Sequence, residues 1–197
     1  MGGFVIVVEN RMGEGEAVKR ILDMGCGFSK VEGSVGIDMI AGSDADVLVD
    51  LAHNPLPFQD NTFDTIYCND VMEHLPDVIG TMEEIYRIGK PDADVYIVSP
   101  SMSSAHYHND PTHLRAFTSR SFDYFIEGEK LFKYGYSHAR FKKESVIYDK
   151  ESRKERNFYD RWMAAFATKR PLLYEHRLAF IFPLWDISFH LKVDKKA

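Results

Sequence analysis

The chain has 197 residues, a formal net charge of −6, 45% hydrophobic residues and 27% charged residues. This composition predicts a soluble, cytoplasmic globular protein with one domain and one core. No apolar run approaches the roughly 20 residues that a membrane helix needs, and the acidic balance argues against a surface built mainly for nucleic acid.

Residues 1–8 lack the basic region of a secretory signal, so we interpret them as an extra strand or a contact surface. Cys26 and Cys68 lie in different segments and predict no disulfide framework. In the first half of the chain, short apolar runs alternate with helix-like segments, which predicts a parallel sheet with crossovers. The expected strands are 20–24, 35–37, 47–50, 65–68 and 94–99.

The sequence also predicts the connections between these strands. Only about ten residues separate the first two strands, near the minimum for a parallel crossover, so the helix there is very short or missing. After the fourth strand, Asp77 can cap a helix, because the apolar residues between Val78 and Tyr86 recur at helical spacing.

The second half of the chain follows a different pattern. A polar, histidine-rich loop (103–118) precedes a short helix around 119–127, a strand over 140–149 and a last, alternating strand over 185–193. One helical face before Pro171 is expected to pack as core or as a subunit contact, with a lid over a ligand as the alternative; it carries Phe158, Tyr159, Trp162, Met163 and Phe166. The mixture of basic and aromatic residues over 130–143 is typical of nucleic-acid surfaces, but a strand with a charged solvent face gives the same pattern, and we prefer that interpretation.

A glycine turn follows the first predicted strand. Gly25 and Gly27 lack side chains, so the backbone can turn sharply and bring N–H groups against a ligand. Asp38, at the end of the second strand, can accept hydrogen bonds from both ribose hydroxyls. Because Asp38 follows by fewer than the roughly 20 residues of the dinucleotide fingerprint, the pattern predicts a single nucleoside ligand.

This segment, with Asp23 inside the motif, resembles the first motif of class I S-adenosylmethionine-dependent methyltransferases. Residues 44–51, 54–58 and 61–67 resemble the third strand, the Leu-Pro-Phe loop and the fourth strand of that family, and 69–75 resembles the segment beside the methionine part of the cofactor. The resemblance implies an α/β, Rossmann-like sheet, mostly parallel with an antiparallel last strand, and S-adenosylmethionine as cofactor. The cofactor residues that it implies are Asp23, Gly25, Cys26, Gly27, Asp38, Met39, Asp50, Leu51 and Asn69.

The resemblance covers residues 18–120 well, which leaves 121–197 for acceptor-side helices and the last two strands. The histidine-rich loop begins beyond the carboxyl end of the fifth strand, where open α/β sheets bind ligands, so His106, His108 and His113 are candidate catalytic bases. Asp110 and Pro111 could instead form a turn, with His113 bonding the loop to itself. The same spacing could hold a divalent metal, but we assign no metal ligands. Glu73 and His74 are interpreted as helix-start and surface groups.

The acceptor is the least determined part of the prediction. Similar Asp-Pro-x-His segments occur in methyltransferases encoded with surface-polysaccharide genes, so the resemblance implies a small polar acceptor such as a sugar or glycan precursor, methylated on oxygen. The fourth strand ends at Cys68-Asn69-Asp70-Val71, which lacks the signatures of adenine, glutamine and cytosine C5 methyltransferases. The alternatives are an inactive cofactor-binding module, a regulatory partner subunit and an RNA methyltransferase, and a homodimer is left open.

Overall fold

The computed structural model of the protein describes residues 19–149 and 157–195. These residues contain one seven-stranded sheet in the order β3-β2-β1-β4-β5-β7-β6. Strands β1 to β5 are parallel, and β7 is antiparallel to both β5 and β6. The strands are β1 (Ile21–Met24), β2 (Ser34–Asp38), β3 (Val47–Leu48), β4 (Phe63–Asn69), β5 (Gly89–Pro100), β6 (Phe141–Tyr148) and β7 (Asp186–Val193).

This order confirms the predicted sheet and its antiparallel last strand. Residues 25–33 connect β1 to β2 without any helix, as the short spacing predicts. Helix α1 (Val78–Ile88) makes the crossover from β4 to β5, and the Asp77 carboxylate caps it by accepting a hydrogen bond from Gly80 N–H. Its apolar face is buried against the sheet and includes Met82, Ile85 and Ile88.

Several elements differ from the sequence prediction. The helix expected over 119–127 is only a 3-10 turn, Asp123–Phe125. Conversely, the histidine-rich loop contains a short helix, α2 (Ala105–Asn109). The turn before the fifth strand is an irregularity within β5: between the Phe63/Gly89 and Thr65/Asp94 pairs, β5 advances by five residues while β4 advances by two. Local spacing cannot reveal such a bulge, because the pairing on both sides depends on the neighbouring strand.

The described residues between β6 and β7 contain two helices, α3 (Phe158–Lys169) and α4 (Pro171–Arg177). The buried face of α3 consists of Met163, Ala164 and Ala167. The prediction that the aromatic face packs as core is wrong for Phe158, Tyr159 and Trp162, which are 77%, 78% and 57% exposed. The subunit contact and the lid, which exposed rings do not contradict, stay predictions.

The basic residues at the start of β6 pair with acidic neighbours. Lys143 lies 2.6 Å from Asp123 and 2.9 Å from Glu129, and Lys142 pairs with Asp92 at 3.3 Å. This arrangement agrees with the interpretation as a strand with a charged solvent face.

The interpretation of residues 1–8 falls outside the described residues. None of the helices in 19–149 and 157–195 combines the length and apolar character needed to cross a membrane.

One buried ion pair fixes the loop that leads into β4. The Arg87 guanidinium binds the nearly buried Glu84 carboxylate through two N–H groups at 2.8 Å and also donates to the backbone carbonyls of Leu56 and Phe58. Glu84 in turn accepts from Leu56 N–H at 2.8 Å. The pair therefore attaches the Leu56-Pro57-Phe58 loop to α1.

We expect Arg87→Met to lower the free energy of unfolding by about 2 to 4 kcal/mol, since it leaves a buried carboxylate without its cation. Urea unfolding followed by circular dichroism measures this. Lys142→Met, which removes the ion pairs of an exposed ammonium group with Asp92 and Asp194, serves as the control and should change stability by less than about 1 kcal/mol. Equal effects of the two substitutions would contradict the role given to Arg87.

Candidate functional site

The glycine turn after β1 is held by backbone hydrogen bonds to the end of β2. Gly25 and Gly27 adopt φ values of +72° and +51°, a region that favours glycine. The N–H groups of Gly25 and Cys26 both donate to Ile37 C=O, and Gly27 N–H donates to the Asp38 carboxylate at 2.9 Å. The sequence analysis expected these N–H groups to face a ligand, but they are used to join the two strand ends.

The turn also lies directly against the segment that follows β4. A Cβ atom on Gly25 would come within 2.5 Å of Val71 Cγ2, whereas one on Gly27 would meet nothing within 4 Å. Gly25 is therefore required both by its backbone conformation and by close approach. This contact brings the ends of β1, β2 and β4 together at the carboxyl edge of the sheet.

Asp23 and Cys26 are buried beneath this turn. Asp23 is 2% exposed and accepts a hydrogen bond from Val31 N–H at 2.8 Å, and burial raises the pKa of its carboxyl group despite that bond. Burial also raises the pKa of the Cys26 and Cys68 thiols. Neither cysteine is therefore activated as a nucleophile, in line with the absence of a cysteine-based signature in the sequence.

A first cavity of about 560 Å³ opens beside the turn. Six of the nine predicted cofactor residues line it: Gly25, Gly27, Asp38, Met39, Asp50 and Leu51. Asp38 is 7% exposed, and its second carboxylate oxygen accepts a hydrogen bond from Ile40 N–H at 2.8 Å. The opposite wall includes Asp70, Val71 and His74, which follow β4. Asp23 and Cys26 do not line this cavity but support the turn behind it.

A second cavity, of about 670 Å³, adjoins the first, and Asp70 lines both. Asn69, the remaining predicted cofactor residue with a cavity position, lies here together with His106. The His106 ring stacks on Trp185 with 5.1 Å between ring centroids. The other lining residues are Val31, Tyr67, Tyr96, Val98, Pro100 and Asp186.

Asp70 is an unusual residue at this junction. It has a φ of +48°, in the left-handed region. Burial raises the pKa of its carboxyl group, while the nearby imidazoles of His113, His106 and His74 act in the opposite direction. Three histidines from two segments therefore surround one carboxyl group between the cavities, and the sequence analysis did not single out Asp70.

The three candidate bases occupy different environments. His106 and His108 are both exposed, but of the two only His106 lines the second cavity, and His108 contacts Tyr107 edge to face. His113 is nearly buried, and its Nδ1 lies 2.8 Å from Tyr107 C=O. The turn that the sequence analysis held as an alternative is present, because Thr112 donates both its N–H and its hydroxyl to Asp110. The loop thus bonds to itself through His113 while presenting His106 to the cavity.

The burial of Glu73 contradicts its interpretation as a surface group. It is 0% exposed, and neither carboxylate oxygen has a hydrogen-bond partner among the described residues. Burial raises the pKa of Glu73 to about 7; the Ser99 hydroxyl lowers it slightly without reaching hydrogen-bond geometry. His113 Nε2 lies 4.0 Å from Glu73 Oε1. A sequence signal existed, since Glu73 stands between Met72 and Leu75, which are both buried.

Glu73 and His74 are also not helix-start residues. They lie in a turn over 72–74, and α1 begins at Val78, after the predicted Asp77 cap. His74 lines the first cavity and its Nδ1 lies 2.8 Å from Thr112 Oγ1. The segment after β4 is therefore joined to the histidine-rich loop, and Leu114 N–H donates to Glu73 C=O at 2.8 Å as a further link.

Comparison with known proteins identifies this architecture. A family described as "Methyltransferase domain" matches residues 7–127, more than half of the chain. Cycloartenol-C-24-methyltransferase 1 of Oryza sativa subsp. japonica is 37% identical over 60 residues, which are 30% of this chain and 17% of that protein. The ubiquinone biosynthesis O-methyltransferase of Hahella chejuensis is 29% identical over 99 residues, covering 40% of this chain and 42% of that protein.

The chain spans less than half the length of these curated relatives. Among solved structures, a SAM dependent methyltransferase from Archaeoglobus fulgidus aligns with a TM-score of 0.56 at 19% identity, over 88% of this chain and 86% of that one. This likeness extends the shared fold to the second half of the chain, beyond the residues that the family match covers. The chain belongs to the class I methyltransferases, whose cofactor is S-adenosylmethionine.

Proposed function

We propose that this protein transfers the methyl group of S-adenosylmethionine to a hydroxyl oxygen of a small polar acceptor, such as a sugar or glycan precursor. The observation that carries the proposal is the pair of adjoining cavities that share Asp70. One cavity is lined by the residues expected to bind adenosine, and the other by a histidine, an asparagine and aromatic rings. A methyl donor in the first cavity would therefore face an acceptor in the second.

The first cavity suits the adenosyl part of the cofactor. Each oxygen of the Asp38 carboxylate accepts one backbone N–H, which leaves lone pairs on both oxygens for the two ribose hydroxyls. Leu51 is buried in the cavity wall and Met39 is 68% exposed beside it. We assign the adenine to the space between these apolar side chains.

The methionine part would extend towards the junction of the cavities. Asn69 offers an amide oxygen to the amino group of the cofactor, and Asp70 lies at the same strand end. The carboxylates of Asp23 and Asp70 favour a sulfonium and an ammonium cation in a partly buried site, because charge interactions there are stronger than in water. We assign Asn69 and Asp70 to this part of the cofactor.

The second cavity determines the acceptor. The sulfonium methyl group is already activated, so the main requirement is alignment of the acceptor oxygen, and a base is needed only to remove its proton. His106 is the candidate base, since its exposed ring lines this cavity, whereas His108 lines neither cavity and His113 faces Glu73. The ring of Trp185 and the polar groups of Asn69 and Asp70 suit a hydroxylated ring that has one apolar face.

Calorimetric titration with S-adenosylhomocysteine, followed by a screen of sugar and nucleotide-sugar acceptors for methyl transfer, tests the proposal. Binding without transfer to any acceptor would favour an inactive module or a regulatory subunit. Transfer to RNA, with salt-sensitive RNA binding, would favour the RNA methyltransferase alternative. No binding of either cofactor form would overturn the assignment of the first cavity.

We expect Asp38→Ala to weaken S-adenosylmethionine binding more than tenfold, because two charge-assisted hydrogen bonds of about 1.5 to 3 kcal/mol each are lost. Asp44→Ala is a matched control, since Asp44 is an exposed aspartate in the same region that lines neither cavity. Calorimetry gives the affinities, and melting temperatures show whether each variant folds. Unchanged affinity in folded Asp38→Ala would show that the ribose binds elsewhere.

We expect His106→Gln to lower kcat at least tenfold while the affinity for S-adenosylmethionine stays within twofold, since loss of a general base typically costs about 10²- to 10⁴-fold. His138→Ala, at an exposed histidine outside both cavities, is the control. Equal loss of turnover and of cofactor affinity would assign His106 to loop structure instead.

A further inference from the structure

Three side chains converge beneath the histidine-rich loop. Glu73, His74 and His113 place one carboxylate oxygen and two ring nitrogens within 4.8 Å of one another. Two of these residues follow β4 and the third comes from the loop about forty positions later in the chain. The fold, and not local sequence, therefore assembles this cluster.

The hydrogen bonds of His113 fix which of its nitrogens carries a proton. Its Nδ1 lies 2.8 Å from Tyr107 C=O, and a carbonyl oxygen can only accept. Nδ1 must therefore be the protonated nitrogen of the neutral ring, which leaves a lone pair on Nε2. His113 Nε2 lies 4.0 Å from Glu73 Oε1. When the ring is neutral, two hydrogen-bond acceptors therefore face each other with no proton between them.

A similar argument applies to His74. The Thr112 hydroxyl lies 2.6 Å from Asp110 Oδ1 and donates its single proton to that carboxylate. Thr112 Oγ1 must then accept from His74 Nδ1, which lies 2.8 Å away. His74 Nε2 is left with a lone pair as well. His74 is thus hydrogen-bonded to Thr112, which is hydrogen-bonded to Asp110. Histidines that bind metals are commonly oriented by such hydrogen bonds to their other ring nitrogen.

Glu73 completes a set of acceptors that no described donor satisfies. Its side chain is fully buried, both of its oxygens lack hydrogen-bond partners, and no lysine or arginine pairs with it in residues 19–149 and 157–195. An isolated buried carboxylate is costly unless it is paired or bound to a cation. We propose that Glu73, His74 and His113 bind a divalent transition metal ion of the zinc class.

The geometry is close to what such an ion requires. Tetrahedral Zn²⁺ with bonds of about 2.1 Å holds its ligand atoms roughly 3.4 Å apart. The 4.0 Å between His113 Nε2 and Glu73 Oε1 therefore needs to close by about 0.6 Å, and the pairs that include His74, which lie within 4.8 Å, by at most about 1.4 Å. Two histidines and one glutamate leave a fourth position open, as in catalytic zinc sites. The site lies beside both cavities, because His74 lines the first and Asp70, which is sensitive to the charge of His74 and His113, lines both.

The open position could take water or the oxygen of a bound hydroxyl compound. This inference adds a cation to the proposed methyltransferase without depending on it, because metal binding is measured with no cofactor or acceptor present. Loss of metal binding with intact cofactor binding would overturn only the metal site. The reverse result would overturn only the cofactor site.

The test uses the full chain after treatment with a chelator. Calorimetric titration with Zn²⁺ is expected to show one saturable site per chain, and Co²⁺ is expected to give the intense visible absorption of a tetrahedral ion. Glu73→Gln and His113→Ala should each weaken Zn²⁺ binding at least 100-fold. Thr112→Val removes the hydroxyl that links His74 to Asp110 but keeps the Thr112 N–H bond to Asp110, and it should weaken Zn²⁺ binding about 10- to 100-fold.

His138→Ala is the matched control, because His138 forms an exposed histidine–glutamate pair with Glu83 at 3.2 Å and should leave Zn²⁺ binding unchanged. If Glu73→Gln or His113→Ala does not fold, the Co²⁺ spectrum of the wild-type chain decides: weak octahedral absorption overturns the site. Absence of saturable binding to the wild type, or binding that survives in both folded variants, overturns it too. Glu73 and His113 would then share a proton.

Discussion

Carboxylates that accept backbone N–H groups hold the first crossover in place, and the rest of the site depends on them. Residues 25–33 contain no helix, so this segment has no internal hydrogen-bond ladder. Asp23 accepts from Val31 N–H, Asp38 from Gly27 and Ile40 N–H, and Asp46 from Gly36 N–H and the Lys30 ammonium. These bonds replace the hydrogen bonds that a crossover helix would provide, because they satisfy backbone N–H donors and fix the separation of the strand ends. Asp38 therefore has two roles: it closes the turn, and its remaining lone pairs face the cavity.

The sequence predicted those parts of the structure that rest on local patterns. Strand alternation, the Asp77 cap and the short first crossover all depend on residues close together in the chain, and all three are present. The prediction was wrong where a distant segment decides the outcome. Glu73 is buried where the segment after β4 is hydrogen-bonded to the loop at Leu114, and Phe158 and Trp162 are exposed while Ala164 and Ala167 form the buried face of α3. Of the candidate site, the sequence identified most of the first cavity but missed the acidic residues that follow β4.

The histidine-rich loop shows how one segment can serve two purposes. Its turn at Asp110 and Thr112 is stabilised by local hydrogen bonds, and His113 bonds back to Tyr107. This leaves α2 to present His106 to the second cavity, where Trp185 holds the ring by stacking. The sequence offered all three histidines as candidate bases, with a loop-bonding role for His113 as the alternative, because spacing does not reveal which side of a loop each one faces. Their distinct environments follow from two anchoring contacts, one to Glu73 C=O and one to Trp185.

The buried carboxyl group of Glu73 cannot be explained by stability. An apolar side chain of similar size at this position would avoid the cost of desolvating a carboxylate, and its neighbours Met72 and Leu75 show that the surroundings accommodate apolar groups. A buried acid that lacks hydrogen bonds is therefore retained for something that it binds or for a proton that it holds. When neutral, each of the two imidazoles in the same cluster carries its single proton on a nitrogen that is already hydrogen-bonded and offers a lone pair on the other nitrogen. A cation satisfies all three acceptors at once, whereas a single proton can bridge only two of them.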